Sequence, residues 1–393
     1  MTTVERIAER ERLLTAARSI ADVVGAGAEE AERQRTLPQT TLDALTGAGL
    51  FSLMVPQVLG GAEADPITQV EVSEEVARAD GSAGWCLMIG AGLAGLAAAH
   101  LADDAVHTIF KTPDVPIAGH LVPRGQATPE RGGYRVSGQW SFASGCHHVG
   151  WMLGNCIVQR DREPSMPQPT LPEMRVVCVP KEQVQIHDNW HVAGLRGTAS
   201  CDFSITDTVV PEGFSFDLLN ARPRRGGPLY RLPFFTWAAP GHGGYALGVG
   251  RRALDEIARI AESKMRFASP SVLAGRGAFQ QAFARAEASL RSARLFLLDT
   301  LAEVWRTACA GDDITFKQRA LVRLAVTHVT DVAAEVVTQA YRYGGGSAMF
   351  QSSVLQRCLR DIYAATQHVY VGDETYEKVA QALLGIEQPH PFL

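Results

Sequence analysis

The sequence predicts a mainly α-helical protein with a central β domain, and three observations carry that prediction. Apolar residues recur at helical spacing from Val4 to about Phe110. Short β-type runs separated by turn residues fill Val115 to about Pro211. Helical periodicity returns after the Arg-rich connector Asn220 to Gly227 and runs to the end. The expected division is a helical domain over 1–114, a β domain over 115–222 and a helical bundle over 223–393.

In the first region Leu42 and Leu45 fall at helical spacing, with loops expected at Leu37-Pro38 and Gly60-Gly61. A long apolar helix is expected from about Ser82. Ala83 to Ala99 carries no charge, but it is rich in Gly and Ala and flanked by Asp80, Asp103 and Asp104. A membrane span needs about 20 predominantly apolar residues, so a buried core helix is the better reading and no membrane partner is expected. In the middle region, strands are expected at Tyr134-Arg135-Val136, Trp151-Met152-Leu153, Arg175 to Val179 and Phe203 to Val210. Asp161 to Pro172, with four prolines, reads as an exposed loop. In the last region Leu290, Leu297, Leu301, Val304 and Ala308 form one apolar stripe. Leu321, Leu324, His328, Val332 and Val336 form another, which suggests an antiparallel bundle.

Composition narrows the function. A formal charge of -5 argues against a nucleic-acid partner, and Arg222, Arg224 and Arg225 read as solvated loop charges. Seven scattered cysteines, none in a C-x-x-C spacing, suit reduced thiols in a cytoplasm and offer neither a zinc site nor a disulfide framework. The N-terminus, with Glu5, Glu9 and Glu11, lacks the pattern of a signal peptide. His147-His148 looks like a metal pair, but adjacent residues on a strand point apart and no third ligand is spaced nearby; no metal is expected. Gly90-Ala91-Gly92-Leu93-Ala94-Gly95 fits the dinucleotide pattern G-x-G-x-x-G, and Asp114 falls near the ribose-binding distance. The required buried strand is missing, however, because Trp85 to Ile89 is poor in β-branched residues; the glycines read instead as a close helix contact.

The succession Gly49-Leu50-Phe51, Val55-Pro56, Gly60-Gly61 and Glu74 to Ser82 resembles the N-terminal helical domain of acyl-CoA dehydrogenases. Gly133 to Gly138, Gly194 to Ser200 with Val209-Val210-Pro211, Ala246-Leu247-Gly248, Tyr343 to Gly346 and Arg360-Asp361 continue the likeness in the family's order. The resemblance implies a helical domain, a β-barrel and a four-helix bundle, usually in a homotetramer. It also exposes a departure. Dehydrogenases need a carboxylate to remove the proton beside a thioester. The stretch where most members carry it reads Ile362 to His368 without an acid, and Leu218 to Leu254, the alternative location, has none either. Glu374 would serve only if the register slipped.

The chain is similar instead to the flavin-dependent hydroxylases of the same fold, fed by a separate NAD(P)H-dependent flavin reductase. That likeness implies reduced FMN or FAD, molecular oxygen and a C4a-hydroperoxyflavin that hydroxylates a phenol- or indole-type aromatic small molecule. It assigns the segment Trp140-Ser141-Phe142-Ala143-Ser144-Gly145 to the flavin, with Ser144 bonding near N5 and O4, and places His368 and His120 at the substrate. His368, with an ordinary pKa of about 6.5, would deprotonate a phenol or polarise a ring N–H. Arg196, and Arg266 with Lys264 and Phe267, would also contact the flavin, while Trp85, Phe142 and Trp237 would line an aromatic pocket. The alternatives are a dehydrogenase with a relocated base and an N-oxygenase of an amine or amino-sugar.

Overall fold

A computed structural model describes residues 3–160, 172–218, 220, 222–265 and 271–386. The proline-rich loop expected at 161–172, except its last residue, and the candidate flavin contacts Arg266 and Phe267 lie outside them.

The N-terminal layer contains α1 (Thr3–Ser19), α2 (Ala21–Gln34), α3 (Gln39–Gly47), α4 (Pro66–Ala79), α5 (Gly81–His100) and α6 (Asp103–Ile109). Side chains set where the two central helices start. Asp65 caps α4 by accepting from the N–H groups of Ile67 (3.0 Å) and Thr68 (3.1 Å), with Pro66 in the first turn. Asp80 accepts from Ala83 N–H at 2.9 Å and so starts α5. α5 is almost wholly buried, as a core helix should be. Its glycine motif lets a turn rather than a neighbouring α-helix approach: a Cβ at Gly95 would lie 2.8 Å from Met54 Cβ, in the turn after Leu50–Ser52.

The β domain contains β1 (Ile117–Glu130), β2 (Gly133–Ala143), β3 (Trp151–Val158), β4 (Met174–Pro180), β5 (Gln185–His187), β6 (Cys201–Pro211) and β7 (Ser215–Phe216). They form one sheet in the order β5-β6-β2-β1-β3-β4-β7, with β1 and β3 parallel and the other pairs antiparallel. The sheet has its own core, which includes Val136, Trp140, Met152, Val177, Phe203 and Ile205.

The C-terminal layer contains α7 (Phe234–Ala238), α8 (Pro240–Ala261), α9 (Gly277–Ala310), α10 (Phe316–Gly344), α11 (Val354–Ala365) and α12 (Glu374–Leu383). A capping box between Thr315 and Gln318 starts α10. α8 presses backbone to backbone on α4. Any Cβ at Gly244 would lie 2.2 Å from Val70 O, and one at Gly248 would lie 2.4 Å from Glu74 O. Arg294 of α9 reaches the same helix, donating to Glu74 at 2.8 Å. The bundle is thereby joined to the N-terminal layer.

Candidate active site

The three layers meet at Trp85, on the buried face of α5. Its indole N–H donates to Ser144 Oγ at 3.0 Å. Ser144 Oγ lies 2.7 Å from Ser200 Oγ, Ser200 Oγ lies 2.6 Å from Thr198 Oγ1, and the Thr198 hydroxyl donates to Leu195 O at 2.9 Å. Each hydroxyl has one proton to give and two lone pairs. Because Thr198 gives its proton to a carbonyl, it must accept from Ser200, and Ser200 must accept from Ser144. The direction of the chain is therefore determined, and Ser144 keeps one free lone pair.

Ser144 reaches this place through a bulge. β2 and β6 lose register between Trp140 and Ala143, and Phe142 takes a left-handed φ of 64°. Bulges re-aim side chains near sites, and a left-handed non-glycine costs about 1–2 kcal/mol. Phe142 is thereby turned outward and left 60% exposed, edge-on to Trp190 and to His120, both at 6.2 Å. Opposite it the segment Leu195–Ala199 has left-handed residues at both ends (φ 54° and 45°). Trp190 N–H donates to Leu195 O at 3.0 Å, and Asp361 accepts from Leu195 N–H at 2.6 Å. The Arg360-Asp361 pair is thus a clamp: Arg360 also donates to Ala193 O (2.8 Å) and to Glu32 (2.6 Å). Burial, with Asp80 nearby, pushes the Asp361 carboxyl up to about 7.

Against the other side of Trp85 stand aromatic rings from the bundle: His242 at 5.7 Å, Tyr245 at 5.2 Å and His368 at 5.4 Å between centroids. His368 lies 4.3 Å from Tyr370 and 5.5 Å from His242. Burial lowers the His368 pKa to about 3, helped by the fields of His242, His120 and Arg323. Burial likewise lowers His242 and His120 to about 4. All three imidazoles are neutral near pH 7, so the expected titration of His368 near 6.5 does not hold. Its Nδ1 accepts from Tyr370 N–H at 3.3 Å, so in the neutral ring Nε2 carries the proton. His368 is thus a hydrogen-bond donor to what stands beside it. His120 Nδ1 is buried without a partner among the described residues.

Other expected contacts are placed differently. Trp140 is 0% exposed, stacked on Phe203 at 5.0 Å, with its N–H on Asn155 O at 2.8 Å. It sits in a socket where a Cβ at Gly125 or Gly154 would meet its ring at 2.2 and 2.9 Å, so it is packed in the sheet's own core rather than open to a ligand. Trp237 packs on Tyr230 and Phe234, each at 6.2 Å. Its neighbour Phe235 is the residue that meets Tyr370, at 5.8 Å, because positions two apart on a helix face roughly opposite ways. Arg196 is half-buried in the Leu195–Ala199 turn, and Lys264 donates to Ser347 at 2.6 Å. Glu374 is exposed, 3.6 Å from Lys378, and supplies no carboxylate to the ring cluster.

Two features escape the sequence reading. His242 and Tyr370 give no periodic signal that sets them apart from packed residues. His147 lies in a turn, not on a strand, and the pairing of Ala143 with Cys201 brings Cys146, His147 and Cys201 together with possible ligand atoms within 4.8 Å. This corrects the expectation that no third ligand is near. Lys181, which donates to His147 O at 2.7 Å, sets a positive charge beside the group.

This three-layer fold sets a hydroxyl chain and a cluster of rings on either side of Trp85, and the stretch Ile362 to His368, where a dehydrogenase would carry its base, holds no acid. Residues 8–108 match the family model for the acyl-CoA dehydrogenase N-terminal domain, and residues 240–372 match that for the C-terminal domain. The indole-3-acetate monooxygenase of Pseudomonas putida is 33% identical over 92% of this chain and 90% of its own length. The flavin-dependent monooxygenase oxygenase subunit HsaA of Rhodococcus jostii is 28% identical over 87% and 90%. Among solved structures, XiaF from Streptomyces in complex with FADH2 and glycerol superposes with a TM-score of 0.90 at 22% identity, covering 99% of both chains. The chain belongs to the acyl-CoA dehydrogenase family, in its branch of flavin-dependent monooxygenases.

Proposed function

We propose that this protein is the oxygenase component of a two-component system that hydroxylates an aromatic small molecule, using reduced flavin supplied by a separate reductase. The observation that carries the reading is the Trp85–Ser144–Ser200–Thr198 chain facing neutral His368 and His242 with no carboxylate among them. Among the described residues neither usual position of the thioester base carries an acid beside these rings, and Glu374 is exposed beside Lys378, which disfavours the dehydrogenase alternative. Indole-3-acetate, which the Pseudomonas relative oxidises by name, is an aromatic. The Rhodococcus relative is named as an oxygenase subunit, which implies a partner that reduces flavin.

The residues fit a flavin. Exposed Phe142 and half-buried Trp190 offer an apolar surface beside a buried line of hydroxyls, as a fused ring with one polar edge requires. When bound, reduced flavin activates dioxygen and supplies the oxygen atom. The protein binds, orients and keeps water out. Ser144 has a free lone pair and no free proton, so it selects an N–H, which the reduced ring has at a position left bare in the oxidised one. His368 presents Nε2–H to a substrate oxygen, and the unpaired His120 nitrogen is left for a substrate N–H or O–H.

The test is stopped-flow mixing of the protein and anaerobically reduced FMN or FAD with oxygenated buffer, followed by product analysis with phenols and indoles. Reoxidation slower than that of free flavin, together with hydroxylated product, supports the reading. Reoxidation as fast as free flavin, with both flavins and without product, would sink it.

A further inference from the structure

A guanidinium carries five N–H groups, and a buried charge needs partners for them. Arg323 of α10 is 5% exposed and has hydrogen-bond partners at only one of its three nitrogens among the described residues. Its Nη2 donates over long distances to Val369 O (3.2 Å) and Thr375 Oγ1 (3.3 Å). Nε and Nη1 are buried without any partner among the described residues. Glu374 is the acid that acts on it, but that side chain is exposed and turned to Lys378.

The position of Arg323 is not incidental. Arg323, Thr327 and Thr330 fall at i, i+4 and i+7, on one face of α10. Thr330 Oγ1 on that face lies 3.3 Å from His242 Nδ1, so the stripe closes the ring cluster from the bundle side. The guanidinium carbon sits 4.6 Å from the centroid of Phe235. Phe235 meets Tyr370, and Tyr370 meets His368. Arg323 is thus a fixed cation behind the aromatic wall of the site, and its field reaches His242 and His368. Phe235 is half-buried on the five-residue helix α7, and its ring must turn aside for a small group to reach the guanidinium.

We propose that Arg323 receives a carboxylate carried on a short spacer by the aromatic substrate, so that the enzyme takes aryl acids in preference to neutral aromatics. This rests on the aromatic hydroxylase reading above and adds the charge of the substrate. A carboxylate supplies the counter-charge and the acceptors that the free nitrogens lack, and charge-assisted hydrogen bonds of this kind are the stronger ones.

The probe pair is indole-3-acetate and its neutral isostere indole-3-acetamide. Binding of each is titrated by calorimetry to wild type, Arg323→Gln and Arg323→Lys, beside product formation with reduced flavin. Wild type should bind the acid at least tenfold more tightly than the amide. In Arg323→Gln the ratio should collapse towards one, while Arg323→Lys keeps part of the preference. Thermal unfolding separates a structural role. Removing an unpaired buried charge should leave Arg323→Gln at least as stable as wild type, whereas a structural arginine would give a lower Tm and equal losses for acid and amide. Equal binding of acid and amide by wild type, or an unchanged ratio in Arg323→Gln, overturns the proposal and leaves the hydroxylase reading standing, provided that neutral aromatics are still hydroxylated. Failure to bind or hydroxylate any aromatic overturns both.

Discussion

At the scale of single residues, burial decides what the histidines can do. His368, held at about 3, cannot store a proton at neutral pH, and its donor Nε2–H makes it an orienting hydrogen bond. Loss of a preorganised hydrogen-bond donor costs about 10²–10³-fold when it acts on the reacting atoms. His368→Ala should therefore lower hydroxylated product per flavin oxidised by about a hundredfold, with hydrogen peroxide in its place, and His368→Gln, which keeps an N–H, should retain more. Chromatographic product yield against peroxide checks this, and equal coupling in all three proteins would remove His368 from the chemistry. The same burial makes stability depend on pH. His120, His148 and His242 are each held at about 4 and His368 at about 3, all below the ordinary 6.5. Their contribution is complete above about 6.5 and is lost as pH falls towards the folded values, by up to about 1.4 kcal/mol per pH unit for each ring. Asp361 runs the other way: its pKa is raised, so its contribution is present below about 4 and lost as pH rises through 7. Urea unfolding should show stability falling from pH 6.5 to 4, and His242→Gln should flatten that limb by about one proton. An unchanged slope would mean that His242 is not held neutral.

At the scale of elements, the bulge at Phe142 is the device that separates ring from hydroxyl. On a regular strand Trp140, Phe142 and Ser144 would share one face. The left-handed φ at Phe142 breaks that alternation, leaving Trp140 in the sheet's core, Phe142 exposed and Ser144 buried beside Trp85. Phe142→Gly should relieve about 1–2 kcal/mol of backbone strain and lose about 0.5–1 kcal/mol to glycine's flexibility. Its ring, mostly exposed, contributes little packing, so the melting temperature should not fall. On the proposed function, in which this ring lies against the flavin, coupling should fall when the ring is gone. A clear drop in Tm would show that the ring packs more than its exposure indicates. The same bulge marks where the sequence stopped being legible. Helix and strand periods were readable, while the Gly194–Ser200 and Arg360-Asp361 motifs were legible only as family likeness, and their meeting at Leu195 was not. Nothing in Trp140-Ser141-Phe142-Ala143 announces a bulge, since no glycine stands at the left-handed position. His242 and Arg323 were silent for another reason: a single polar residue on a helix looks the same whether it packs, faces water or lines a site. The grouping of Cys146 with Cys201 depends on strand pairing, which connects residues far apart in sequence.

At the scale of the molecule, no layer holds the site alone. Trp85 comes from the N-terminal layer, Ser144, Thr198 and Ser200 from the β domain, and His242 and His368 from the bundle. Other contacts join the same three layers. Ser82 accepts from Gly197 N–H at 3.1 Å, Asp361 accepts from Leu195 N–H, and the α8 glycines lie on the α4 backbone. Opening any one interface would expose Asp361, Asp80 or the buried imidazoles and unpair the hydroxyl chain, so the layers should not unfold separately. Calorimetry of the ligand-free protein should therefore show one transition. Anaerobic addition of reduced flavin should raise it as a whole, since a ligand at a hundred times its Kd adds about 2.7 kcal/mol to the folded state. Oxidised flavin at the same concentration should raise it less, because Ser144 has an acceptor to offer and no proton. Two resolved transitions, with only the later one moved by flavin, would confine the site to fewer layers than the geometry joins. Equal shifts with both flavin forms would mean that the hydroxyl chain does not sense the redox state.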